Sequence, residues 1–433
     1  MCPRKRSSTD HTRRTLLRLG AGAVATSLAA ASGCVSSLPP VGLPQHFGRI
    51  DVPPADPPRY RRWLPAPSAL DGLDGDHYRF LYRQPSRLDY PAPIRFVVPR
   101  KRLLSELDYF GVGYAAYDEL LHTDAGTVVL APFDRDTVAR TLTESGYETA
   151  ESYHDYDLFA RQDVHRRAAV GDGVVVWTSE RVHDAPDVEA LVDARAGRVD
   201  RYHEENDGFA RLSESIGESR MVELVPPKAG VRYWTSCEGF RFDDGTAYHV
   251  RSFRYPEGTE FPKRELKRRS VAGTILTREV EHADIRIEGR TATFEGEIPP
   301  GEGVHPGNVT PPYPPQITWG VTRDADAGTV TVRHEAGDSV AADALALGFT
   351  LDPDAGAFAV PNHEPLFTDV ETVEPGDTAT VDVSDEPAVT VRKSTGDGSA
   401  DGETTRTATR IEVVYSPDGS YRSLFSFPLE VTR

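Results

Sequence analysis

From about residue 126 to the C-terminus the sequence breaks into short apolar or alternating segments closed by glycine, proline or aspartate, and few stretches are long enough for a helix. Such a chain builds antiparallel sheets rather than helical bundles, because tight turns return each strand beside its predecessor. Between residues 76 and 225 the apolar period switches repeatedly between two and 3.6, which marks an α+β layer structure. Strands are predicted over His77 to Arg83, Gly126 to Phe133, Tyr147 to Tyr153, Tyr156 to Arg161, Arg166 to Val170 and Val174 to Ser179, the last two joined at Gly171-Asp172-Gly173. Helices are predicted from Arg135 to about Ser145, with Asp134 as N-cap, and over Asp184 to Ala196 and Asp207 to Ile216, before a strand from Arg220 to Val225.

That order suits an α+β, ferredoxin-like region over 76–228 with one helical face. A second α+β segment follows at 229–300, with strands Arg232 to Phe242 and Thr246 to Tyr255, a basic stretch from Lys263 to Arg269, and a hairpin of Ala283 to Glu288 with Thr291 to Glu297. A Gly/Pro linker is predicted at 301–315, containing the N-glycosylation sequon Asn308-Val309-Thr310 with Pro311 directly after it. Residues 316–433 read as a C-terminal β-sandwich of regularly spaced strands, interrupted by a polar insertion from Ser394 to Thr409 that reads as a disordered loop.

The amino terminus reads as an address. Residues 1–33 begin basic and continue into a weakly apolar run, Leu16 to Ala31, too short to span a bilayer, which needs about 20 apolar residues. Thr12-Arg13-Arg14-Thr15-Leu16-Leu17-Arg18 resembles the twin-arginine export signal, which implies export of the folded chain. Ala31-Ser32-Gly33-Cys34 resembles the lipobox of secreted lipoproteins, which implies cleavage before Cys34 and a lipid on its thiol, hence the outer face of the cell membrane. Residues 34–75 then read as a Pro-rich tether, extended over Val52 to Pro58. After lipidation Cys237 is the one remaining thiol, so no intramolecular disulfide is expected, and its place in an alternating stretch favours a small buried side chain.

Charge narrows the partners. The chain holds 67 acidic and 49 basic residues; the first 33 residues take six bases and one acid with them, leaving a net charge of −23. Nucleic acid is excluded as a partner on this ground, since phosphate contacts need clustered Lys and Arg. Only six of the bases are Lys, and this acid-rich, Arg-over-Lys composition resembles that of haloarchaeal proteins. The segment Val330 to Val340, reading VTVRHEAGDSV, with Ala344-Leu345, Gly376-Asp377 to Val381 and Ile411 to Tyr415, resembles the head domain of haloarchaeal type IV pilins. The resemblance covers about a quarter of the chain and implies a cell-surface or pilus-like protein partner. The match departs at Ala336, where Gly is usual, and the pilin filament-forming helix is lacking.

No catalytic, cofactor or metal motif emerges, so no catalytic residue, cofactor or metal ligand is assigned and the chain reads as non-enzymatic. Gly111-Val112-Gly113 follows a predicted helix, Lys101 to Phe110, where a dinucleotide loop must follow a strand. Asp324 to Gly328 reads as a hairpin turn rather than a calcium loop, and His334, Glu335 and Asp338 read as a turn with His334 partly exposed rather than a metal site. The alternative to a structural, adhesive or assembly role is a solute- or polymer-binding lipoprotein with a groove in 76–300, using Tyr147, Tyr153, Tyr156, Phe159, Tyr202, His154 and His165.

Lowering salt from the molar range to about 0.1 M lengthens the Debye length from roughly 3 Å to 10 Å and exposes the acidic surface to its own repulsion. The thermal midpoint of the mature protein is therefore expected to fall steeply as NaCl is lowered in a calorimetric series; a midpoint independent of salt contradicts the reading.

Overall fold

The computed structural model forms two compact units, residues 1–44 and 45–433. The described residues are 46–87, 103–163, 165–226, 235–243, 246–258, 264, 266–267, 280–298, 313–351, 358–359, 364–385, 387–394, 400–417 and 421–429, all in the second unit. Arg13, Arg14, Cys34 and Asn308 lie outside them, as do most of the basic stretch and the center of the polar insertion.

Among the described residues one sheet collects thirteen strands: His46–Phe47 (β1), Phe80–Arg83 (β2), Glu119–Thr123 (β3), Thr127–Leu130 (β4), Glu148–Thr149 (β5), Asp157–Arg161 (β6), Arg166–Gly171 (β7), Val174–Ser179 (β8), Met221–Val225 (β9), Thr235–Asp243 (β10), Thr246–Arg254 (β11), His282–Glu288 (β12) and Thr291–Ile298 (β13). Their spatial order is β1-β12-β13-β11-β10-β9-β2-β3-β4-β8-β7-β6-β5, antiparallel throughout except for the short β1. β9 pairs with both β2 and β10, so the segment expected as a separate unit after residue 228 continues the same sheet.

Alternation along each strand sends neighbours to opposite faces, and here both faces are covered. Val128, Val176, Ala169, Phe80 and Tyr82 enter one core, while Val129, Val175, Trp177, Ala168 and Leu81 enter another. Helices Val188–Ala196 (α2) and Asp207–Ile216 (α4) supply Leu191 and Leu212 to the first core. Helix Arg135–Glu144 (α1) and the segment from residue 103 to 117 supply Val138, Leu142, Leu107 and Phe110 to the second. The expected single helical face is thus two. Helix α1 starts at its expected cap, Asp134, which accepts from Thr137 N; α2, expected from Asp184, starts four residues later because Asp187 accepts from Ala190 N, and Asn206 caps α4 by accepting from Phe209 N. A four-residue helix, Tyr202–Glu205 (α3), precedes α4.

The tether reading fails beyond residue 52. Tyr60, Trp63 and Leu64 are buried in the first core, Val52 packs against it, and Asp56 bridges to Glu218. Two 3₁₀ turns, Arg59–Trp63 and Pro67–Ala69, pin this segment to the sheet, helped by the Arg59–Glu218 pair. Proline enrichment shaped the turns without preventing burial.

Residues 316–433 form two main sheets about a shared core of Trp319, Val330, Val332, Leu345, Val413 and Phe425. Ile317–Asp324 (β14), Thr329–Gly337 (β15) and Thr378–Asp382 form the first; Glu364–Pro365, Leu345–Thr350, Arg410–Tyr415 and Arg422–Pro428 form the second. The insertion expected as a disordered loop contains a strand, Ala400–Thr407, paired with Ala388–Ser394; its threonines and arginine suit a polar hairpin that low hydrophobicity disguised.

A polar seam locks this sandwich to the sheet of thirteen strands. Arg166 and Asp108 are 1 % and 3 % exposed. Arg166 Nη1 donates to Asp108 Oδ2 at 3.1 Å and to the Trp319 carbonyl at 3.0 Å. Tyr147 Oη donates to the same carboxylate oxygen at 2.6 Å and accepts from Trp177 Nε1 at 2.9 Å. Alongside, Arg161 holds Asp163 with two bonds of 2.7 and 2.8 Å and reaches Glu335 at 3.3 Å. A Cβ on Gly320 would meet Glu335 Oε1 at 2.1 Å, so only glycine admits that approach.

Removing one partner of a buried ion pair leaves an uncompensated charge, which costs about 3–5 kcal/mol, whereas an exposed pair is worth about 0–1 kcal/mol. Arg166→Ala should therefore destabilise the protein by about 3–5 kcal/mol in denaturant titration, while Arg167→Ala next to it, which breaks only the partly exposed pair with Glu189, should leave the midpoint nearly unchanged.

Candidate functional site

The aromatic and imidazole groups expected to share a groove divide instead. Tyr147 and Phe159 lie in one core and Tyr202 in the other. Only Tyr156 and His154 line a cleft, of about 820 Å³, between the end of α2 and the turns flanking β6, β7 and β8.

The cleft is assembled around Asp193 on α2. Gly197, at φ 69°, ends that helix and turns the chain so that Arg198 follows Arg195 along one wall. Opposite them, Tyr153 and Tyr156 bridge each other across His154-Asp155, with His154 at φ 54°. Asp193 draws this turn onto the helix: Tyr153 Oη donates to its Oδ2 at 2.8 Å, His154 Nε2 lies 3.5 Å from its Oδ1, and Arg198 Nη1 donates at 3.2 Å. Burial first, then the bond to Asp193 and its charge, push the Tyr153 phenol up to about 12. Arg135 Nε donates to Asp157 Oδ2 at 2.8 Å, and the Arg195 guanidinium sits 5.6 Å from the Trp63 ring centroid.

Arg135, Arg195 and Arg198 thus line a cleft together with Asp155, Asp157 and Asp172, with Trp63 and Tyr156 in its walls. Guanidinium forks beside carboxylates and rings can hold a polar solute by hydrogen bonding and stacking. Sequence reading missed these arginines and Trp63. Nothing in the sequence singles out these three among the eight arginines between 135 and 198, and Trp63 sat in the stretch read as tether.

The other sequence candidates are structural. Cys237 is fully buried on β10, and burial, reinforced by the charges of Glu238 and Glu223, pushes its thiol up, away from the reactive thiolate. Asp324 accepts from Ala327 N in a hairpin turn, as expected. His334, expected partly exposed, is 0 % exposed, and its Nε2 pairs with the Asp338 carbonyl at 2.9 Å; Glu335 turns to Arg161, and Asp338 accepts from Gln316 N. The three side chains therefore do not converge: Glu335 joins the seam, while His334 and Asp338 bond within the sandwich. Tyr114–Ala116 is a 3₁₀ turn after helical residues 103–106, which agrees with rejecting a dinucleotide loop. Among the described residues no group of three or more His, Cys, Asp or Glu could hold a metal ion, and no helix is long and apolar enough to cross a membrane.

No protein-family model matches the chain, and no curated protein matches it. Among solved structures, crystal form III of TP0453 aligns with TM-score 0.34 at 9 % identity over 54 % of this chain and 93 % of that one. Crystal form I aligns with TM-score 0.35 at 10 % identity, over 54 % and 92 %. At these values the likeness carries no argument about fold or function.

Burial holds the His334 imidazole below its ordinary value of 6.5, so below that pH the unfolded chain binds a proton that the folded one resists. Its contribution is present above pH 6.5 and declines as pH falls. Between about pH 7 and pH 5, wild type should lose more stability than His334→Gln in parallel urea titrations; equal losses contradict the assignment.

Proposed function

We propose that the chain is a non-enzymatic cell-surface protein of a halophilic archaeon, exported by the twin-arginine pathway and held on the outer face of the cell membrane by a lipid on Cys34. Its role is structural, adhesive or assembly-related, and its partner is a cell-surface or pilus-like protein. The observation that carries this reading is the succession Arg13-Arg14, a short apolar run, and Cys34 at a small-residue cleavage position, in a chain that is otherwise strongly acidic. The pilin-head resemblance of residues 330–433 supports the surface role. So does the structural employment of Cys237, His334, Glu335 and Asp338, the residues weighed for chemistry. A ferredoxin-like description of 76–228 rests on the order of strands and helices alone, and helices on both sheet faces weigh against it.

A second reading, a solute-binding lipoprotein, is favoured by the cleft of about 820 Å³ formed by residues 63–198, mostly within the region expected to hold a groove.

Mass spectrometry of the native mature protein should give Cys34 as the first residue, carrying a lipid. Arg13→Lys with Arg14→Lys should abolish export, because Lys does not reproduce the paired guanidinium geometry. Cys34→Ala should release the protein from the membrane fraction or leave the signal uncleaved. Normal surface levels of the double variant, or unchanged membrane retention of Cys34→Ala, would remove the address on which the reading stands.

A further inference from the structure

A second cleft, of about 770 Å³, opens at the seam, where residues 104–115 face 313–316 and the sandwich segments 338–344 and 415–417. Asp338 and Asp343 are its charged residues among those described, and two carboxylates by themselves select no ligand. The arginine-lined cleft differs, because two of its hydrogen-bond donors have no acceptor among the described residues.

The first is Arg195. Its guanidinium lies over the ring of Trp63, which is 2 % exposed, and makes no hydrogen bond or ion pair among the described residues. The indole contact restrains the guanidinium without using any of its five N–H groups. Arg135 and Arg198, by contrast, are committed to Asp157 and Asp193. The second donor is Tyr156. The residue is half-buried, its hydroxyl has no hydrogen-bond partner among the described residues, and the oxygen keeps contact with solvent. Its ring is seated on Gly171, where a Cβ would meet Tyr156 Cε1 at 2.8 Å. Burial pushes the phenol above its ordinary value of 10, and the charge that most opposes the rise is that of Arg195. The hydroxyl therefore keeps its proton at neutral pH and stands in the field of the same guanidinium.

We propose that Arg195 and Tyr156 together bind the carboxylate of a small organic monocarboxylate whose carbon skeleton lies against Leu130 and the Tyr156 ring. The guanidinium supplies a fork of two N–H donors and the phenol a third hydrogen bond. Asp155 and Asp172 line the same cleft, so a second negative charge on the ligand is repelled and monoanions are taken in preference to polyanions. Chloride, the competing anion in molar NaCl, meets the guanidinium but offers neither a planar pair of oxygens nor an apolar surface, so selection over it comes from shape and carbon contact. The inference rests on the solute-binding reading and names the ligand class for that cleft.

Saturation-transfer NMR on the full mature protein in molar NaCl tests it, with benzoate as probe, benzyl alcohol as the neutral counterpart and benzene-1,3-dicarboxylate as the dianion. Benzoate should bind saturably, and the other two should bind about tenfold more weakly or worse. Arg195→Met, which keeps an unbranched stem over Trp63, and Tyr156→Phe, which keeps the ring on Gly171, should each weaken benzoate binding about tenfold or more, the loss expected for a hydrogen bond to a charged group. Circular dichroism checks that both variants fold, and the comparison of probes on the wild-type protein stands without them. Benzoate affinity unchanged in both variants overturns the proposal. Benzyl alcohol binding as well as benzoate also overturns it, while leaving the solute-binding reading in place. Absence of saturable binding by all three probes removes the carboxylate assignment together with the support this cleft lends to that reading.

Discussion

The bond between Arg166 and Asp108 sets the terms for the rest of the molecule. It is an ion pair removed from water, and its hold depends on the hydrogen bonds that compensate the loss of hydration. Tyr147 caps the carboxylate and Trp177 in turn caps Tyr147. The Trp319 carbonyl takes a further donor from Arg166, and Phe425 lies 5.5 Å below its guanidinium. One guanidinium, carried on the large sheet, thus ties the Asp108 carboxylate to residues of both sheets of the sandwich. The arrangement specifies a docking geometry more than it adds stability, because an apolar seam could slide and this one cannot.

Much of the secondary structure was legible because period and punctuation agreed. Helix α1 has Asp134 before it and Gly146 after it, and the β7–β8 hairpin turns where Gly171-Asp172-Gly173 falls. Burial on both faces explains what was not legible. Strand Glu119–Thr123 reads ELLHT and lacks the polar alternation that would announce it, because Leu120 and Leu121 serve different cores. Trp63 and Tyr60 sit beside prolines whose frequency suggested a tether, yet their area demanded a core. The strand at Ala400–Thr407 carries no apolar alternation to announce it, and its pairing with Ala388–Ser394 is what reveals it. Both clefts were invisible for another reason: their walls come from segments separated by a hundred residues or more, and only tertiary folding joins them.

The two clefts also show how an acidic chain distributes its charge. Arginines are gathered where carboxylates need neutralising, around Asp193 and Asp157, and none is among the described residues lining the seam cleft, where Asp338 and Asp343 lie beside tyrosines. In molar salt neither cleft can attract ligands over distance, since fields die within about 3 Å.

The sequence distances spanned by the seam have a consequence for biogenesis. Gln316 meets the Asp108 backbone across 208 residues, and Trp319 meets Arg166 across 153. While the chain is being synthesised, the large sheet must wait with a charged pair at its surface until the sandwich emerges from the ribosome. Seam closure therefore comes after the last strands are made, and a chain truncated anywhere in the sandwich carries Arg166 and Asp108 half-solvated. For the folded-state export proposed for this protein, that closure would act as a completeness check, distinguishing a finished molecule from every shorter one before it reaches the membrane.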